Sequence, residues 1–236
     1  MGMDSHEDII SHFKLTDDSG DKRTVKIARF EIAPANGDYL NPGEWRFRLD
    51  EEVRPRWFNG GYEKICRDAQ KEWKRKLDKI LVRKPIVHPF KIVPPKKITK
   101  AHLSLLKNWD SVRDSVWDSV WDSVRVSVGD SVWDSVRVSV GDSVWASVWD
   151  SVRVSVGDSV WDSVRDSVRA YVGTFFKLPH SAWGYTKGTK AKGYPFQSAV
   201  DLWEMGLVPS FDGKTWRLHG GSDAKILWEG KEGEIK

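Results

Sequence analysis

The sequence predicts α+β flanks around a central β-solenoid of four-residue repeats, with a long or broken α-helix as the alternative fold for the repeat. Three observations carry that expectation. Residues 110–173 form sixteen consecutive tetrads, most reading Asp-Ser-Val followed by Trp, Arg or Gly. The repeat changes length by whole tetrads: the block at 118–129 recurs at 130–141 and returns at 142–157 with residues 146–149 inserted. The flanks, in contrast, show ordinary apolar periodicities of two and of three to four residues. Four segments follow: an N-terminal α+β domain at 1–83, a Pro- and Lys-rich connection and cap at 84–109, the solenoid at 110–173, and a C-terminal cap with a small α+β meander at 174–236.

Val fills the third place of all sixteen tetrads, and Ser the second place of all but one, where Tyr171 stands. The fourth place holds six Trp (Trp117, Trp121, Trp133, Trp145, Trp149 and Trp161), six Arg and four Gly, which share neither size nor polarity. Their codons TGG, CGG and GGG differ by one base, so a DNA repeat expanded and then drifted. A place that accepts Trp, Arg and Gly does not face a close-packed core, where one methylene is felt; Val can. A unit too small to bury its own apolar face stacks on its neighbours, which is the logic of a solenoid. On an α-helix a Val at every fourth residue drifts about 40° per tetrad and circles the helix in about nine tetrads. Ser, Val, Trp and Asp also each cost about 0.5 kcal/mol relative to Ala there. A β-solenoid turns Val inward and leaves the six Trp at outer corners, as a surface for a partner. Its difficulty is that Asp shares a strand face with the following Val and must reach a corner or a backbone donor.

On residues 110–173 the chain resembles the pentapeptide-repeat proteins, whose right-handed quadrilateral β-solenoids stack short sides around one inward apolar residue. The repeat here has four residues, so the corner geometry of that family does not transfer. The resemblance implies a non-catalytic scaffold, with Asp ladders able to mimic a nucleic acid duplex.

From the N-terminus, residues 24–32 are β-rich, with a change of phase that predicts a bulge near Ala28 and Arg29. Trp45, Phe47 and Leu49 alternate strictly, and the two runs are expected to pair as a hairpin. Asn59 is placed to cap a helix running from Gly61 to about Val82, with Tyr62, Ile65, Cys66, Ala69, Trp73, Leu77, Ile80 and Leu81 on its buried face. Pro85, Pro89, Pro94 and Pro95 forbid a helix in the next stretch and favour an extended connection lying against something apolar. A short helix over 98–109 and the aromatic run 170–178 are expected to cap the two ends of the solenoid. Phe196, Ala199, Val200 and Trp203 share a helix face before Gly206, and Asp212-Gly213 marks a hairpin turn within a three-stranded meander. Residues 201–228 resemble the ends of uncharacterised prokaryotic or phage-borne proteins, which implies no activity.

The net charge of +4 conceals segregation. Residues 54–107 carry 16 basic and 4 acidic side chains, whereas 1–53 carry 7 and 12, 110–173 carry 6 and 11, and 174–236 carry 9 and 7. Lys64, Arg67, Lys71, Lys74, Arg75 and Lys79 make the predicted helix a candidate phosphate-contacting surface, flanked by Trp57, Phe58, Tyr62 and Phe90, whose rings can stack on bases. The bland alternative is a solvated helix face.

No catalytic constellation assembles from the sequence. His6 and His12 lack the spacing of a zinc helix. His219 with Asp223 and Lys214 is the strongest grouping, and it reads more simply as a histidine in a turn of a basic meander. No enzyme activity, cofactor or metal is expected. The single Cys66 excludes an internal disulfide, and there is no secretory signal or apolar run of membrane-spanning length, so a cytoplasmic protein is expected. The expected role is a non-catalytic repeat scaffold or macromolecule-binding protein with an unidentified protein partner. Direct, sequence-independent nucleic-acid binding through 54–107 is the alternative.

Overall fold

The computed structural model describes residues 11, 14, 28, 30–34, 44–49, 54–128, 158–186 and 193–235. These fall into two compact units, one made of the described residues up to Leu81 together with Val128, the other of Val82–Ser127 and the described residues from 158 onward.

In the first unit, strand β1 (Phe30–Pro34) pairs antiparallel with β2 (Trp45–Leu49), Phe30 opposite Leu49 and Pro34 opposite Trp45. The alternation in β2 buries Trp45 and exposes Arg46 and Arg48, as half-buried strands require. The hairpin is the expected one; Arg29, of the predicted bulge, and residues 24–27 lie outside the described residues. Helix α1 (Gly60–Ile80) starts where Asn59 accepts a hydrogen bond from the Gly61 amide at 2.9 Å. Its orientation departs from its apolar stripe. Gln70 and Leu77 are buried, whereas Tyr62 and Ile65 are 48% and 65% exposed, so the helix is rolled by about 60° from the face its hydrophobic spacing predicts. Polar contacts to β2 account for the roll. Gln70 Nε2 and Lys74 Nζ donate to the Trp45 carbonyl at 3.4 and 2.9 Å, and the Arg67 guanidinium lies 4.8 Å from the centre of the Phe47 ring.

The second unit opens with an extended segment fastened at Val87, whose amide donates to the Tyr171 hydroxyl at 2.7 Å and whose carbonyl accepts from Trp203 Nε1 at 2.9 Å. A single 3-10 turn, Pro89–Lys91, buries Pro89 and Phe90, which is the apolar support expected of the proline-rich connection. Helix α2 (Lys100–Asp110) buries Leu106 and Trp109.

The described tetrads are helical, and the β-solenoid expectation is corrected. After a 3-10 turn at Arg113–Ser115 come α3 (Val116–Val128) and α4 (Asp158–Gly173). The three-stranded sheet is open and lies outside the repeat. Val112, Val116, Val120, Val124, Val164, Val168 and Val172 are all buried, as are Ser119, Ser123 and Ser167. A helix explains this without the difficulty that strands posed for Asp. The second and third places of a tetrad sit about 100° apart on one face, and the fourth and first places share the other. The drift of the Val row is contained because the helices are short. From Val116 to Val124, or from Val164 to Val172, it amounts to about 80°, within an apolar stripe about 100° wide. Residues 129–157, with Trp133, Trp145 and Trp149, lie outside the described residues, as does the side chain of Trp161.

The expected solenoid caps are corrected as well, because these segments are core elements. Helix α2 packs on α5 (Gln197–Glu204), and α4 packs on α5 and on strand β3 (Val208–Phe211). Tyr171 stacks on Trp203 at 5.3 Å and meets Phe175 edge-on at 5.5 Å, while Trp109 meets Phe196 edge-on at 6.3 Å. Gly206 ends α5 with φ +73, a conformation that favours glycine. Strand β3 then pairs with β4 (Thr215–Gly220), and β4 with β5 (Lys225–Lys231), in the expected antiparallel meander.

Candidate functional site

Helix α1 carries all six of the cations predicted to contact phosphate, and the fold separates them into two groups. Lys64, Lys71, Arg75 and Lys79 lie within about 80° of one another around the helix and form an exposed stripe about 22 Å long. Asp68 is the acidic residue inside that stripe. It accepts from Lys64 at 2.9 Å and from Lys71 at 3.0 Å, and those two hydrogen bonds hold its carboxyl below the ordinary value. Among the described residues Arg75 and Lys79 make no ion pair. Arg67 and Lys74 face the hairpin instead. Arg67 is held by Glu63 at 2.8 Å and covers Phe47, while Lys74 is spent on the Trp45 carbonyl. The pairing of Glu63 with Arg67 and, at 3.1 Å, with Arg54 lowers the Glu63 pKa.

Aromatic rings stand at the N-terminal end of the same helix. Trp57 meets Tyr62 edge-on at 5.3 Å and Phe58 at 5.8 Å, and Arg54 lies 5.3 Å above the Phe58 ring. Phe58 is buried and Tyr62 is open to solvent. Phe90 is buried in the second unit and is not available for stacking. Cys66 is half-buried, and burial raises its pKa, so it is a poor nucleophile at neutral pH.

The predicted tryptophan surface is represented by Trp117 and Trp121. Trp117 is 49% exposed and packs edge-on to Trp121 at 6.1 Å. The guanidinium of Arg169, from α4, lies 3.8 Å from the centre of the Trp117 ring. Two fourth-place residues, one Arg and one Trp, therefore meet across the helix pair as a cation–π contact. Loop residues dock on the same helix: the Gly184 amide donates to Ser123 Oγ at 2.8 Å, and the Tyr185 hydroxyl to Asp122 at 3.1 Å.

His219 does not join Asp223 and Lys214. Asp223 pairs with Lys225 at 2.9 Å. His219 Nε2 lies 2.8 Å from Ser210 Oγ, and Nδ1 lies 3.1 Å from the Ala224 carbonyl oxygen. The carbonyl can only accept, so Nδ1 carries the proton and Nε2 accepts from Ser210. This is the hydrogen bond of a nucleophile with its base, but Ser210 and His219 are 1% and 4% exposed and no substrate atom reaches them. The pairing was missed because Ser210 reads in sequence as an ordinary strand residue, nine positions away. Among the described residues no group of three His, Cys, Asp or Glu side chains is placed to hold a metal ion, and no described helix is long and apolar enough to cross a membrane. No family model, curated protein or solved structure matches the chain.

Proposed function

We propose that the protein is a non-catalytic, macromolecule-binding protein and that it binds nucleic acid without sequence preference through α1. The observation that carries this reading is the stripe of Lys64, Lys71, Arg75 and Lys79, about 22 Å long and interrupted by one carboxylate. Phosphates neutralised by such a stripe release condensed counterions, which makes affinity high at low salt and steeply salt-dependent. The open ring of Tyr62, braced by Trp57, offers a base-stacking platform beside Arg54, and this favours single strands over duplex. The sealing of the Ser210–His219 pair supports the non-catalytic part of the reading.

The test is fluorescence anisotropy of the full chain on labelled homopolymer and mixed-sequence oligonucleotides across a salt series. Similar affinity for all sequences is expected, falling linearly on a log–log plot. Lys71→Glu, Arg75→Glu and Lys79→Glu together should reduce the slope by about 2 to 3, since each lost phosphate contact removes about 0.7 to 0.9. Arg67→Glu and Lys74→Glu, aimed at cations that face the hairpin, should change the slope less and the melting temperature more. The absence of binding by the wild-type chain at low ionic strength, where exposed charge is least screened, refutes the proposal.

A further inference from the structure

Within the second unit, a cleft of about 250 Å³ is walled by Phe176, Trp183, Tyr194 and Val200, and its charged groups are Lys84 and Glu204. Lys84 is half-buried. Its ammonium lies 5.1 Å from the ring centres of both Tyr171 and Phe175, and these two faces fix its position. Burial holds its pKa below the ordinary lysine value, against the opposing pull of the Glu204 charge. The two groups thus sense one another, yet among the described residues no carboxylate comes within ion-pair distance of Lys84.

Three other polar side chains of the cleft are already engaged. The Tyr194 hydroxyl donates to the Ala170 carbonyl at 2.6 Å, Thr174 Oγ1 to the Tyr171 carbonyl at 2.6 Å, and Gln197 Nε2 to Asp201 at 2.8 Å. What remains open includes one cation and one anion that do not pair with each other. A half-desolvated ammonium without a counter-ion is costly to maintain, and a ligand that supplies the anion offsets that cost. A simple carboxylate would meet Glu204 as a like charge; a ligand carrying both charges meets each wall with its complement.

We propose that this cleft binds a small zwitterion of the α-amino-acid type, its carboxylate on Lys84, its ammonium on Glu204, and its aliphatic part against Phe176 and Val200. The size agrees. The volume lies below the ~300 Å³ at which drug-sized sites begin, in keeping with a ligand of amino-acid size. The inference is independent of the nucleic-acid reading, which rests on the other unit.

The experiment titrates the full chain with L-valine, with isovalerate, which lacks the ammonium, and with isobutylamine, which lacks the carboxylate. Binding is followed by calorimetry and by the amide resonances of Lys84 and Gln197. Saturable binding of valine is expected, with each single-charge analogue about tenfold weaker or worse. Lys84→Met should abolish binding and Lys84→Arg retain it, while Glu204→Gln, at an exposed residue whose replacement spares the fold, should erase the preference for valine over isovalerate. The proposal is overturned if valine causes no saturable change, if isovalerate binds the wild type as tightly as valine, or if folded Lys84→Met or Glu204→Gln behaves as the wild type does.

Discussion

Ser119 and Ser123 hold the same place in successive tetrads and are both buried, but Ser123 Oγ accepts the Gly184 amide whereas Ser119 Oγ has no hydrogen-bond partner among the described residues. Identical substitutions should therefore differ in sign. Ser123→Ala leaves the Gly184 amide unpaired and should cost about 1–2 kcal/mol, while Ser119→Ala removes a desolvated hydroxyl and should be neutral or stabilising by up to about 1 kcal/mol; urea denaturation of the two variants decides. Gly173, a fourth-place residue, is equally specific, because a Cβ there would run into the Tyr194 phenol. Gly173→Ala should destabilise by about 1–3 kcal/mol, and the penalty should shrink in a Tyr194→Phe background, a coupling that a double-mutant cycle reads directly. His219 adds a dependence on pH. Burial depresses its pKa, so the unfolded chain takes up a proton first, at about pH 6.5. Its contribution to stability is complete above that pH and is lost as the pH falls below it. The imidazole should titrate below 6.5 by NMR, and His219→Gln should narrow the gap between melting temperatures at pH 7 and pH 5.

At the scale of elements, the pairing of Arg169 with Trp117 alters what the repeat's own composition implies. Trp and Arg alternate freely at the fourth place in sequence, which suggests that either serves anywhere; across α3 and α4, however, one of each is needed. Trp117→Arg should cost about 1 kcal/mol, by losing the cation–π contact and opposing two guanidiniums, whereas Trp117→Phe should retain part of it. Thermal melts of the two variants distinguish these outcomes. The hairpin β1–β2, the cap at Asn59, and helix α5 with the meander β3–β4–β5 were all legible, because alternation, capping chemistry and turn glycines act locally. The helical state of the tetrads was legible only as the alternative to the solenoid. The 40° drift was weighed over the whole repeat rather than over the two tetrad steps that each described helix uses for its buried Val row. The propensity cost of about 0.5 kcal/mol per residue was also set against nothing, although a fully buried Val gains about 1.5 kcal/mol or more. The candidate surface was legible in its residues and not in its grouping. The sequence places all six cations on one candidate surface, but the Trp45 carbonyl, 29 positions upstream, draws Lys74 away.

In the molecule as a whole, each tetrad added to a helix lengthens it by about 6 Å and turns everything beyond it by about 40°. Each described repeat helix is thus a screw thread, and tandem duplication within it advances the thread. One or two added tetrads keep the Val row within the arc that the core covers; a further one carries Val toward water and brings Asp inward. The short break at residues 111–115 resets the thread, so that Val112 and Val116 both remain buried on either side of it. A copying slip that lengthens one of these helices is therefore tolerable only within a small run of added tetrads, unless an interruption of this kind accompanies it.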